Sequence, residues 1–142
     1  MDLSITFPRS PKQKMAGLVH LSRMIDKGRA YKESRLGDYI YPCPLDKIIL
    51  NFLKIEAEIF ANMTVEKNDE QIYDWAKELV KSKSPKELNF INEQILERKP
   101  DSKDRLNFFN EIRDKYDPSR SDITTWVDLL DLEEGRNPNK SS

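Results

Sequence analysis

The chain is poor in the residues that most catalytic signatures require. Its 142 residues include one cysteine, one histidine and four glycines. One cysteine cannot close an internal disulfide, which suits a reducing compartment and predicts a cytoplasmic protein. So few glycines leave no phosphate-cradling loop or dinucleotide fingerprint, and they argue against a sheet fold with many tight turns. No apolar run approaches the length that spans a bilayer. Met1–Phe7 lacks the basic start and long apolar centre of a signal peptide. A formal net charge of −1 excludes nucleic-acid affinity driven by bulk charge. Neither nucleic acid nor membrane is therefore expected as a partner.

What the chain does have is charge and helix punctuation. Hydrophobic residues make up 37% and charged residues 35%, a balance that predicts a thin core between amphipathic helices. Ser10-Pro11-Lys12-Gln13 reads as a capping box and predicts a helix running to about Tyr31–Ser34. Pro44 opens a shorter helix ending near Lys54, burying Leu45, Ile48, Ile49, Phe52 and Leu53. Glu56 to about Val65 forms another, with Ile59, Phe60 and Met63 inward. Further boxes at Asn68–Gln71 and Ser84–Glu87, and a start at Asp101–Asp104, open three more. Asp122 is expected to cap a last helix, Ile123 to about Leu132, with Gly135 at its stop. The expectation is an all-α single domain, residues 1–142, of six or seven helices. At most a minimal two-stranded ribbon is allowed near residues 38–41, and residues 1–8 and 137–142 are taken as loose termini.

Leu36–Asp46 is the densest stretch, setting Cys43 between Pro42 and Pro44 beside Tyr39, Tyr41, Asp38 and Asp46. Each proline keeps the residue before it extended, so Cys43 is expected at a helix N-terminus. There it is a small buried hydrophobe, a thiolate favoured by the helix dipole, or the wall of a pocket lined by Tyr39 and Tyr41. Asp26 and Arg29 project into the apolar arc of the first helix, either as an ion pair at the core edge or as the lining of a polar pocket.

Charge is uneven along the chain. Arg9–Arg35 carries eight basic residues against two acidic ones, a local +6. Residues 122–136 carry five acids against Arg136, a local −4, and the two segments are expected to lie together. His20 falls on the basic side with Lys12, Arg23 and Lys27, which reads as a solvated face or a docking surface. Placed there alone, His20 serves neither a metal site nor a catalytic triad, so no metal and no cofactor are expected. Trp126 and Asp128 on the last helix complete a candidate pocket of Asp26, Arg29, Asp38, Tyr39, Tyr41, Cys43, Asp46, Trp126 and Asp128.

Four segments together resemble a bacterial family known as domain of unknown function 5069. They are Pro8–Pro11, Met24–Ala30, Leu36–Asp46 and Asp122–Arg136. The resemblance runs from about Arg9 to Arg136 and implies a bacterial cytoplasmic protein of one domain, with no assigned reaction, cofactor or catalytic residue. Three functions follow as expectations. The first is a non-catalytic helical binding module for a protein partner or a small anionic ligand. The second is an enzyme using the polar pocket, and the third a structural protein that forms homo-oligomers.

Overall fold

The computed structural model describes residues 1–138. Among them are seven helices and one two-stranded ribbon: β1 (Lys14–Met15), β2 (Leu18–Val19), α1 (Leu21–Lys32), α2 (Pro44–Leu53), α3 (Ala57–Glu66), α4 (Asp69–Val80), α5 (Pro85–Leu96), α6 (Lys103–Tyr116) and α7 (Trp126–Glu133). The all-α expectation holds. Two compact units divide the chain, Met1–Asn92 and Glu93–Ser142.

In the first unit, the long first helix anticipated from Ser10 is cut at its start. Ser10-Pro11-Lys12-Gln13 makes a turn, with Gln13 N–H donating to Ser10 O and Lys12 N–H to Ser10 Oγ. An antiparallel ribbon follows, pairing Lys14 with Val19 and Met15 with Leu18. Its two-residue loop has Ala16 at φ 53° and Gly17 at φ 80°, the doubly left-handed turn whose twist matches a hairpin. The one ribbon among the described residues therefore lies at 14–19, not at 38–41. Leu18, Val19, Leu21 and Ile25 are all buried, as a helical stripe would have required. Short strands and a helix bury the same residues here, which is why periodicity misplaced the start.

α1 packs against α3. The helices approach closely at Gly28, where an added Cβ would come within 3.1 Å of Thr64 and 3.5 Å of the Ala61 backbone. The glycine is thus a crossing point inside α1. The boxes at Asn68–Gln71 and Ser84–Glu87 form with both arms made, and they start α4 and α5 where the sequence placed them. Ile59, expected inward, is exposed on α3, while Phe60 is fully buried. The amino terminus does not trail loose: Leu3 is buried and its N–H donates to Arg35 O at 2.9 Å. From α5, the Asn92 side chain accepts from Val19 N–H at 3.0 Å and donates to Gly17 O at 2.9 Å.

In the second unit, α6 and α7 pack around Phe109, Ile123 and Leu129, with Ile112, Trp126 and Leu132 against them. Leu106 and Tyr116 are exposed. Thr125, not Asp122, caps α7, accepting from Asp128 N–H. Asp122 instead pairs with Arg120 at 3.0 Å. Arg120 also donates to Asn137 and to Pro138 O, so these two residues are tied down rather than loose. The remaining tail, 139–142, lies outside the described residues.

Asn92→Ala should lower unfolding stability by about 1–3 kcal/mol, because Val19 N–H would be left buried without an acceptor. Urea denaturation checks this, and an unchanged midpoint would remove Asn92 as the clasp on the ribbon.

Candidate functional site

The prolines of the junction set the local geometry. Pro44 occupies the first position of α2, and Cys43 before it is extended at φ −87° and ψ 173°. Cys43 is therefore the N-cap, as its setting between prolines predicted. Three residues on, Asp46 turns its carboxylate back and Oδ2 accepts from Cys43 N–H at 2.9 Å. Helix entry thus fixes where the acid points.

Two side chains of the ribbon–α1 segment meet that acid. His20 caps α1 in the left-handed region at φ 72°, and its Nε2 lies 2.7 Å from Asp46 Oδ1. Lys27 Nζ donates to Asp46 Oδ2 at 2.6 Å and to Cys43 Sγ at 3.2 Å. His20 and Asp46 are wholly buried and Lys27 is 3% exposed. An ionised carboxylate only accepts, so His20 donates from Nε2 and keeps a lone pair on Nδ1. That Nδ1 is buried and has no hydrogen-bond partner.

Burial alone would raise the Asp46 carboxyl. The His20 hydrogen bond and the Lys27 charge overcome it and hold the group well below the usual carboxylate range. Burial lowers His20, outweighing the pull of Asp46, and the Lys27 and Arg23 charges lower it further. His20 is therefore neutral at physiological pH. The Cys43 thiol is pushed up, first by burial and then by the Asp46 charge, with Lys27 compensating only in part. Burial and the carboxylate beside the sulfur thus oppose the thiolate that the helix terminus favours.

Of the expected residues, those of the first unit take separate partners around this centre. Asp26 does not pair with Arg29. Its carboxylate takes Arg9 Nε at 3.0 Å, Arg9 Nη2 at 3.1 Å and Arg9 N–H at 2.8 Å. Arg29 reaches Asp69 at 2.8 Å, Thr64 O at 2.9 Å and Lys67 O at 3.3 Å, tying α1 to the end of α3 and the start of α4. Tyr41 is buried, its hydroxyl donating to Ala57 O at 2.7 Å and its ring tilted against Tyr31. Burial raises its phenol, with the Asp46 charge adding to the effect. Tyr39 is half-buried with the Arg23 guanidinium 5.5 Å from its ring centre, and Asp38 is exposed. Trp126 stands edge-on to Phe109 inside the second unit, and Asp128 lies in the first turn of α7. Of the acids at the end of the chain's last helix, Asp131 and Glu134 are bridged by Arg136.

His20, Arg23 and Lys27 are the residues that helical-face reasoning misplaced. All three are buried, so they form no solvated basic side. His20 does not stand alone either, because donor atoms of His20, Cys43 and Asp46 lie within 4.8 Å of one another. One sequence signal was present: His20 and Lys27 are seven apart, two helical turns, and so share a face.

The family model described as Domain of unknown function (DUF5069) matches residues 5–136, which includes every residue of this cluster. The chain belongs to this family. No curated protein matches it. In this DUF5069 protein the junction and α1 thus meet through one buried acid.

Two outcomes follow. Asp46→Ala should destabilise the DUF5069 fold by about 3–5 kcal/mol, because the buried ammonium of Lys27 loses its carboxylate. An unchanged denaturation midpoint would refute that. The folded His20 binds its proton less readily than an unfolded histidine of pKa 6.5, so acid favours the unfolded chain. Stability should be fully present above 6.5 and fall progressively with pH below it. His20→Gln should flatten this slope in denaturation series taken above the carboxylate range, and a slope as steep as the wild type's would rule His20 out as its source.

Proposed function

We propose that this protein is a non-catalytic binding module for a protein partner, docking over the Leu36–Asp46 junction and the amino-terminal segment beside it. The carrying observation is a pair of exposed isoleucines on touching segments: Ile5 is 83% and Ile40 is 70% exposed. The segments meet at Gly37, where a Cβ would fall 2.9 Å from Leu3 O and 3.0 Å from Ser4 Cα. Phe7, two residues past Ile5, is also exposed, and exposed Arg35 and Asp38 flank Leu36–Gly37. Both segments are anchored from behind, by Leu3 on one side and by Tyr41 and the Asp46 cluster on the other. Apolar side chains on fixed backbone bind with a smaller ordering cost.

The interior chemistry favours binding over catalysis. Asp46 is held ionised, Lys27 is committed to it, and the Cys43 thiol is pushed up, away from nucleophilic character. A protein partner is favoured over a small anion because Arg9, Lys27 and Arg29 already face Asp26, Asp46 and Asp69.

A photo-crosslinking residue in place of Ile40, expressed in the native cell, should give a discrete adduct. The same residue at Ile59, exposed on α3, should not. Phe7→Asp should cut the Ile40 adduct by roughly tenfold, the loss of one apolar anchor. An adduct of twice the chain mass would make the partner a second copy. Equal crosslinking from positions 40 and 59 would overturn the proposal.

A further inference from the structure

We propose that His20, Cys43 and Asp46 form a three-ligand site for a divalent cation of the zinc class, with Lys27 as its built-in competitor. This is independent of the docking surface above. Three observations carry it. The nitrogen, sulfur and oxygen donors lie within 4.8 Å of one another. Around a tetrahedral zinc ion, ligand atoms sit about 3.3–3.7 Å apart given the usual bond lengths, so shifts of up to about 1.5 Å, closing the widest pair and opening His20–Asp46, complete the set. Next, the His20 ring is wholly buried and its Nδ1 has no protein partner, so its lone pair is committed to no donor. Imidazole tautomerises readily, so with its proton moved to Nδ1 the ring presents to a metal the Nε2 pair that faces Asp46.

The third observation is that this cluster already holds a cation. The Lys27 ammonium sits 2.6 Å from Asp46 Oδ2 and 3.2 Å from Cys43 Sγ, against two of the three proposed donors. A divalent ion would take its place. The sulfur–metal bond forms as the Cys43 thiol proton leaves to solvent, and Lys27, losing its carboxylate to the metal, gives up its own proton to solvent and withdraws as a neutral amine. A mixed sulfur, nitrogen and oxygen set selects zinc-like ions over magnesium or calcium, which demand oxygen ligands throughout.

The test is titration of the metal-stripped full chain with cobalt(II), read by the thiolate-to-cobalt charge-transfer absorption. The expected result is a band saturating at one equivalent, bleached by added zinc and absent in Cys43→Ser. Lys27→Met should bind cobalt tighter by roughly tenfold or more, since the competing ammonium is gone. No band in the wild type overturns the proposal, even if Lys27→Met acquires one, because lysine alone would then own the position. A band that persists in Cys43→Ser overturns it as well. Should Lys27→Met fail to fold by circular dichroism, the wild-type titration and zinc bleaching decide the matter.

Discussion

A carboxylate sealed from water must find its counter-charge inside the protein, and Asp46 shows what that requirement does to the surrounding chain. Its two oxygens are covered by His20 Nε2, Lys27 Nζ and the Cys43 N–H. Each contact constrains a different element. The Cys43 contact fixes the start of α2, the Lys27 contact fixes the rotation of α1, and the His20 contact fixes the junction of ribbon and helix. Removing one member leaves the others as buried polar groups without partners, which costs more than the intact pairs contribute.

The same logic extends along α1. A helix in the middle of a unit normally presents apolar residues all round, yet α1 carries Arg23, Asp26 and Lys27 in buried positions. Each is answered from another segment: Asp26 by Arg9 and Lys27 by Asp46, while Arg23 donates to Arg9 O at 3.2 Å and lies against Tyr39. Arg29, less buried, is answered by α3 and α4. Apolar packing such as the Gly28–Ala61 approach supplies proximity without direction, whereas a charged pair demands one partner at one distance. The polar contacts therefore specify which face of α1 meets which neighbour.

This division explains what could be read from the chain. Elements whose signals are local were legible: the boxes at Asn68 and Ser84, and the proline-led start of α2, all stand where their residues indicated. The box at Ser10 failed because the following residues adopt a left-handed turn at Ala16–Gly17, and Ala16 gives no local warning of it. At the site, Cys43 as N-cap was legible for the same reason as α2. His20 and Lys27 were not, because a helical wheel assigns charge to the outside, and their partner is 26 and 19 residues away. A pairing across such a separation leaves no periodic trace.

The junction carries these effects outward. Asp38 lies in the turn that Tyr39 N–H closes on Leu36 O, and Pro42 restricts Tyr41 alone. In this short run Asp38 and Ile40 are exposed, Tyr39 is half-buried and Tyr41 is buried, so exposure alternates. Anchoring Tyr41 through Ala57 O, and Cys43 through Asp46, fixes the inward members of the alternation. The outward members stand between those anchored positions. Ile40 is then exposed as a consequence of what its neighbours bury, and an isoleucine presented on such a short, doubly anchored segment has little disorder to lose on meeting another surface.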